Sequence, residues 1–342
     1  MIDIKRGIAS LTPALSARIT AAILAFFITV SGIKCFDVIK NGEKNEDKDK
    51  DQGGETVSGK EDDTPVNSAG EDSNKKLFSD ENLVFVSSAF SAQTMIMCDL
   101  SSLKAIAAKE PEQKLGPGDL SSIMCAILVS KAIKAGQISI DDRVVCPAAA
   151  AKRPNYAMSS EIYSVGMRLK VGELLRCMLY QKGSSFAYSL SVHISGSEDA
   201  FVREMNDTAK KLGMNNTLFT NVCGEDDGTA SITSYDAAVM MKYFLDDELL
   251  RGIFGSSEPV KIQKYDTSSS VYLTVSNDFY ETTCTESQAK ADGIKGGKTG
   301  ICGFSQWTVV LFSNGKTEYL VLALNSPTPY ADVLRMYSAY SQ

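Results

Sequence analysis

Asp119 is the side chain whose position most plainly suggests chemistry. It follows a glycine- and proline-containing break at 116–118 and stands at the predicted start of a helix. Its carboxylate can accept hydrogen bonds from the free N–H groups of Ser121 and Ser122, which makes it a favourable N-cap. The same N–H groups and the helix dipole stabilise negative charge, so an α+β enzyme would place a nucleophile here. This position holds a side chain that is already ionised.

The helix predicted behind Asp119, within 115–134, is apolar on nearly every side. Its apolar residues follow helical spacing at Ile123, Met124, Ile127 and Leu128. A helix of this composition is normally buried. We therefore expect a central helix of which only the N-terminus reaches a cleft.

A second chemical pattern, S-x-x-K, occurs at Ser101 and Lys104. A serine and a lysine at this spacing can act together on a helix, where residues three apart share one face. Here the pattern lies in a predicted turn, 99–104, between strands predicted at 93–98 and 105–108. The geometry of a hairpin turn argues against a catalytic role for this pair.

The composition does not favour metal, cofactor or nucleic-acid binding. The one histidine, His193, lies on an apolar predicted helix, where core packing is its expected role. Eight cysteines are scattered with no C-x-x-C pair, so we expect no metal site, and their pairing as disulfides stays open. A net charge of −7 argues against a nucleic-acid partner.

The chain divides into three segments. Residues 1–38 contain three basic residues and then the apolar run Ile19–Ile33, which is shorter than the about 20 residues of a spanning helix and typical of a signal peptide or short membrane anchor. Residues 39–78 are polar and charged, and we expect a disordered linker. Residues 79–342 form the folded domain. The arrangement predicts export, with the domain tethered at the outer face of the membrane, or secreted if the signal is cleaved.

Within the domain, strands are predicted at both ends and helices between them. This order indicates an α+β fold with an antiparallel sheet built from distant parts of the chain. The predicted helices are 169–180, a helix ending at Ser195, 198–212, 234–244 and 332–340, and the strands after them are 293–303, 304–313 and 319–325, with hairpin character in 260–280.

From about Ser87 to Tyr340 the sequence resembles the serine D-alanyl-D-alanine carboxypeptidases, the low-molecular-weight penicillin-binding proteins. The family signature is S-x-x-K, then S-x-N, then K-T-G. The resemblance implies a β-lactamase/transpeptidase-like fold, with a helical cluster against a mainly antiparallel sheet. It rests on Pro117 to Met124, Gly136–Arg143, Val171–Ala187, Leu212–Gly224 and Asp292–Gly300.

The first family motif is replaced in this chain. With Pro117 as a fixed point, the family's nucleophilic serine falls on Asp119 and its activating lysine on Ser122. The family reaction needs an alkoxide-like nucleophile made by a neighbouring base. Asp119 could attack only to give a reactive anhydride, and its charge would repel a substrate carboxylate.

The second motif is also replaced, and the third is kept. The second falls on Lys182-Gly183-Ser184, whereas Lys298, Thr299 and Gly300 retain K-T-G. In the family this strand edge binds the terminal carboxylate of the substrate and pairs with its backbone, so the resemblance implies substrate binding by these three residues.

Two arrangements of the altered site are open. Asp119 and Lys182 form an ion pair that fills the former active site, or Asp119 caps its helix while Lys182 is solvated. A rebuilt site, with Ser122 or Ser184 as nucleophile and Lys182 as base, is a further alternative.

The sequence therefore predicts an envelope homologue of the carboxypeptidases without a catalytic centre, which binds peptidoglycan stem peptides or serves as a scaffold for envelope proteins. An active serine-type D-Ala-D-Ala carboxypeptidase with a relocated nucleophile is the alternative. A third possibility is a purely structural platform for partner proteins with the cleft closed.

Overall fold

The computed structural model describes residues 76–86, 89–153, 162–181, 183–225, 227–264, 271–302 and 305–341. The predicted signal or anchor segment, 1–38, and nearly all of the predicted linker, 39–78, lie outside these ranges. The chain is part of the core at Phe78, whose side chain is fully buried. The N–H of Phe78 donates to the hydroxyl of Tyr235 at 3.1 Å, and that hydroxyl donates to the carbonyl of Phe78 at 3.3 Å.

A six-stranded sheet joins the two ends of the domain. The strands are β1 (Val84–Phe85), β2 (Thr94–Asp99), β3 (Lys104–Lys109), β8 (Ile294–Cys302), β9 (Ser305–Ser313) and β10 (Glu318–Ser326). Their order in the sheet is β1-β3-β2-β10-β9-β8, antiparallel except for the parallel pair β1 and β3. The α+β prediction, with strands from distant parts of the chain, is confirmed.

Eight α-helices lie in the described chain, most of them between the two groups of strands. They are α1 (Ser121–Lys134), α2 (Val171–Tyr180), α3 (Ser184–Ser195), α4 (Glu198–Lys211), α5 (Ser234–Asp246), α6 (Glu248–Phe254), α7 (Glu286–Ala291) and α8 (Pro329–Tyr340). Two short antiparallel pairs complete this part of the domain: β4 (Arg143–Val145) with β5 (Arg168–Lys170), and β6 (Val260–Lys264) with β7 (Val271–Val275).

Both faces of the sheet are covered. Successive side chains of β2 point to opposite faces of the sheet. Ile96 packs with the helical cluster, while Met95 and Met97 pack with α8 on the other face. The predicted central helix is confirmed as α1, whose Ile123 and Met124 are fully buried. Each such side chain stabilises the fold by about 1.5–3 kcal/mol through burial.

Two of the sequence predictions meet different outcomes. Ser101 lies in the turn between β2 and β3, where its N–H donates to the carboxylate of Asp99 at 2.8 Å, so the hairpin assignment is confirmed. His193 lies on α3 but is exposed, so the expectation of core packing is wrong.

Across the part of the chain that the structure describes, none of the helices combines the length and the apolarity needed to cross a bilayer.

Candidate functional site

A tight turn carries Asp119 to the edge of the sheet. The segment Gly118–Leu120 forms one turn of 3₁₀-helix directly before α1. Gly224, at φ +71°, lies against this turn, because a Cβ atom at that position would fall 1.6 Å from the carbonyl oxygen of Gly118. The glycine therefore lets two backbones approach more closely than any side chain would allow.

The Asp119 carboxylate joins the turn to strands β8 and β9. Its Oδ1 accepts from the backbone N–H of Ile301 at 2.9 Å and from the indole Nε1–H of Trp307 at 2.6 Å. Gly300 makes this approach possible, since a Cβ atom there would lie 2.1 Å from the same oxygen. Two N–H donors that converge on one oxygen form the kind of arrangement that stabilises an oxyanion.

The expectation that Asp119 caps α1 is wrong. Leu120 occupies the N-cap position of α1, and no side chain caps that end in the described chain. The reason is local: the 3₁₀ turn places Asp119 one residue before the cap, where its carboxylate lies close to the sheet rather than to the first N–H groups of α1.

The predicted ion pair with Lys182 falls on a residue outside the described ranges. It stays a prediction, as does the role of Lys182 as a base.

Lys298 is almost completely buried, at 4% exposure. Its ammonium group donates to the carbonyl oxygens of Leu179 at 2.9 Å and Met178 at 3.4 Å, in the last turn of α2. The C-terminus of a helix carries partial negative charge, so a cation there is favourable. The lysine of K-T-G thus links strand β8 to helix α2.

Thr299 and Gly300 are also used within the fold. The Thr299 hydroxyl donates to the carbonyl of Trp307 at 3.0 Å and accepts from the hydroxyl of Thr308 at 3.3 Å. Gly300 provides the space that Asp119 and Trp307 occupy. The role of the K-T-G residues in substrate binding stays a prediction beside these contacts.

Ser122 and Ser184 lie at the same cleft as Asp119. Both line a cavity of about 20 Å³, together with Asp119 and Cys223. A cavity of this size holds about one water molecule. A larger cavity, of about 690 Å³, shares no lining residue with it and lies around Tyr235.

Among the described residues, neither of the two serines contacts a base that could activate it. The hydroxyl of Ser122 donates to the carbonyl oxygen of Asp119 at 2.6 Å, and Ser184 is 8% exposed at the start of α3. The neighbouring thiol of Cys223 donates to the carbonyl of Ser184 at 3.4 Å. Burial raises the pKa of the Cys223 thiol to about 12, so it is protonated at neutral pH and not nucleophilic.

Arg153 and its acidic and aromatic partners position the loop that carries Cys223. Arg153 forms ion pairs with Glu198 and with Glu225, the latter at 3.2 Å, and its guanidinium stacks over the ring of Tyr188 at 4.4 Å. Glu198 also accepts from the backbone N–H of Val222 at 3.2 Å. The cluster therefore ties the loop to α3 and α4.

Sequence reasoning missed the residues that hold Asp119. Ile301 and Trp307 lie 182 and 188 residues further along the chain, and no motif connects them to it. One signal was available: Trp307 is the single tryptophan of the chain, and it stands in a strand predicted next to K-T-G.

Comparisons with known proteins agree with this architecture. A family model described as D-alanyl-D-alanine carboxypeptidase matches residues 82–315. The chain is 27% identical over 263 residues to D-alanyl-D-alanine carboxypeptidase DacF of Bacillus subtilis, which covers 74% of the chain and 63% of that protein. It is 32% identical over 159 residues to DacC of Escherichia coli, covering 46% of the chain and 40% of that protein. The chain thus matches less than two thirds of the length of these relatives.

Solved structures show the same fold. Penicillin-binding protein 5 from Haemophilus influenzae superposes with a TM-score of 0.62 at 22% identity, covering 74% of this chain and 70% of that one. A Streptomyces K15 DD-transpeptidase superposes with a TM-score of 0.63 at 18% identity, covering 74% and 98%. The domain therefore has the penicillin-binding/transpeptidase fold, and the chain belongs to the D-alanyl-D-alanine carboxypeptidase family.

Proposed function

We propose that this protein is a non-catalytic D-alanyl-D-alanine carboxypeptidase homologue of the cell envelope that binds peptidoglycan stem peptides or acts as a scaffold. One observation carries the proposal. The residue at the family's nucleophile position is Asp119, and its carboxylate is held by the N–H groups of Ile301 and Trp307.

The chemistry of acyl transfer supports the loss of activity. A serine nucleophile needs a neighbouring base to remove its proton. The Ser122 hydroxyl instead donates to a backbone carbonyl, which cannot serve as that base. Removing a nucleophile or its base costs several orders of magnitude in rate, and no described side chain at the cleft replaces them.

Peptide binding is supported by the position of strand β8 at the edge of the sheet. The N–H of Ile301 points away from β9, towards Asp119. Because backbone groups alternate along a strand, those of Thr299 face the same edge. An exposed strand edge is a common place for an extended peptide to add by backbone hydrogen bonds. The predicted export segment, 1–38, would bring this edge to the peptidoglycan.

Covalent labelling of the full chain with a fluorescent penicillin, followed by mass mapping, tests the loss of catalysis. Penicillins acylate the serine of this family, so we expect no adduct on the folded protein. A stoichiometric adduct on Ser122 or Ser184 would overturn the proposal and support the alternative of a relocated nucleophile. The variants Ser122→Ala and Ser184→Ala then identify which hydroxyl reacts.

Calorimetric titration with a stem peptide ending in D-Ala-D-Ala separates the two non-catalytic roles. Saturable binding, absent for the same peptide ending in L-Ala-L-Ala, supports peptide recognition. No binding of either peptide supports a scaffold with a closed cleft.

A further inference from the structure

The position taken by the Asp119 carboxylate has the features of an anion-binding site. Two donors point at one oxygen, from the backbone of Ile301 and from the indole of Trp307. Neither donor belongs to the element that carries Asp119, so both would stay in place if its side chain were removed. Trp307 is fully buried and its strand pairs on both sides, which fixes the direction of its N–H.

The Asp119 carboxylate lies directly against the backbone of Gly300. Gly300 lies so close that even a Cβ atom would be 2.1 Å from Oδ1 and 2.4 Å from the Trp307 ring. The cavity of about 20 Å³ that Asp119 also lines is formed by other residues, among them Ser122 and Ser184. The planar carboxylate of Asp119 fits against Gly300, and we expect a tetrahedral phosphate or sulfate to fit less well there.

We propose that Asp119 is an internal ligand of a carboxylate-binding position formed by Ile301 and Trp307, and that an external carboxylate takes this position when the aspartate side chain is removed. The inference rests on the proposed function, since a stem peptide that pairs with β8 in the parallel direction brings its own carboxyl terminus towards Ile301. In the intact protein Asp119 competes with that carboxylate and closes the edge. The contact is therefore autoinhibitory.

The single tryptophan makes the position directly observable. In ¹⁵N-labelled full-length protein, one indole N–H resonance reports on Trp307. A hydrogen bond to a carboxylate moves an N–H proton downfield and slows its exchange with water. We expect this signature in the wild type, and an upfield, faster-exchanging indole resonance in Asp119→Ala.

Sodium acetate is then titrated, with sodium chloride and sodium phosphate at equal ionic strength as controls. We expect acetate to return the indole resonance of Asp119→Ala downfield in a saturable manner, with a dissociation constant in the millimolar range. Chloride and phosphate should not do so. Asp119→Asn is the matched control, because its side chain still fills the position, and it should not respond to acetate.

A second readout covers the case in which Asp119→Ala is unstable. Acetate that binds the folded variant raises its melting temperature by mass action. We expect a rise for Asp119→Ala with acetate and none for the wild type. No saturable response of Asp119→Ala in either readout, an equal response to phosphate, or an equal response of the wild type would each overturn the inference.

The stem peptide ending in D-Ala-D-Ala gives the functional consequence. We expect Asp119→Ala to bind it about tenfold or more tightly than the wild type, which is the effect of one charge-assisted hydrogen-bonded competitor. Equal affinity would show that Asp119 does not compete. A penicillin adduct would contradict the proposed function but leave the acetate result intact, so the two failures are distinguishable.

Discussion

Two aspartates, Asp119 and Asp332, each use a carboxylate to join parts of the chain that are far apart in the sequence. Asp332, in the first turn of α8, accepts from the N–H groups of Ser91 at 3.0 Å and Ala92 at 2.8 Å and from the hydroxyl of Ser326 at 2.7 Å. It is completely buried. It ties the start of β2 to the end of β10.

Asp119 makes a similar bridge in a different setting. It is half-buried, with a small cavity beside it and an edge strand in front of it. One of its two partners, Ile301, is 37% exposed. A carboxylate in such a place can be exchanged for another ligand, whereas the carboxylate of Asp332 cannot.

The comparison of Asp119 with Asp332 shows which observation separates the roles of two hydrogen-bonded carboxylates. Both carboxylates accept from backbone N–H groups and from one side-chain donor, so hydrogen bonding alone does not separate a structural acid from one that blocks a site. The two roles differ in whether water or a ligand can replace the carboxylate as the hydrogen-bond acceptor.

Asp332→Ala should give the largest effect. It leaves the N–H of Ala92 and the hydroxyl of Ser326 buried without this acceptor, each of which costs about 1–3 kcal/mol, whereas Ser91 is exposed. We expect the free energy of unfolding to fall by about 4 kcal/mol, measured by urea denaturation. Asp119→Ala should cost less, about 1–2 kcal/mol, because Ile301 is 37% exposed and water can enter the space that the aspartate side chain leaves. An equal loss of unfolding free energy in the two variants would show that the two carboxylates do not differ in this way.

Gly224→Ala should come next. A methyl group at this position meets the carbonyl of Gly118, and the φ of +71° is also unfavourable for alanine. We expect a loss of about 3 kcal/mol and a displaced Asp119, seen as an upfield shift of the indole resonance. Gly228→Ala is the control: its φ is +76° with open space around it, and the cost should be about 1 kcal/mol. A similar result for both would exclude the close approach of the two backbones.

Much of the fold was predictable from the sequence, because its signals are local. The strand predicted at 93–98 is observed as β2, whose side chains alternate between two buried faces, and the helix predicted at 198–212 is observed as α4, which ends shortly before Gly213 at φ +77°. Helix α6 went unpredicted, since seven residues give too short a periodic pattern.

The site was less predictable, because its contacts are not local. Motif alignment singled out Asp119, yet the partners of its carboxylate come from strands near the other end of the chain. Lys298 was recognised from its motif, but its contact with the end of α2 depends on how two distant elements pack.

Lys298→Met tests whether the lysine of K-T-G has become a structural link. Methionine keeps most of the buried stem but leaves the carbonyls of Met178 and Leu179 without the ammonium group. We expect a loss of about 1–2 kcal/mol in thermal or urea unfolding. Lys295→Met, at an exposed position of the same strand, should change stability by less than about 0.5 kcal/mol. A stable Lys298→Met that no longer binds the stem peptide would instead favour a role in recognition.

The smallest effect concerns Asp247, which is the N-cap of α6. The sequence predicted this role for Asp119. Its Oδ1 accepts from the N–H of Leu250 at 3.2 Å, and Lys134 lies 2.8 Å from Oδ2. Burial alone would raise the pKa of Asp247, but the hydrogen bonds from Lys134, Ser130 and Leu250 hold it below its usual value. Because the folded-state pKa is lowered, the stabilisation is present above the unfolded value of about 4 and is lost as the pH falls through the folded one.

Asp247→Asn should therefore flatten the stability curve in that acidic range, by under about 1 kcal/mol. Urea denaturation of wild type and variant between neutral pH and pH of about 3 measures it. Asp246→Asn is the matched control, since Asp246 is exposed and pairs with Lys242 on the helix surface. If the wild type and Asp247→Asn lose stability in parallel as the pH falls, the ionised side chain of this cap does not contribute to stability.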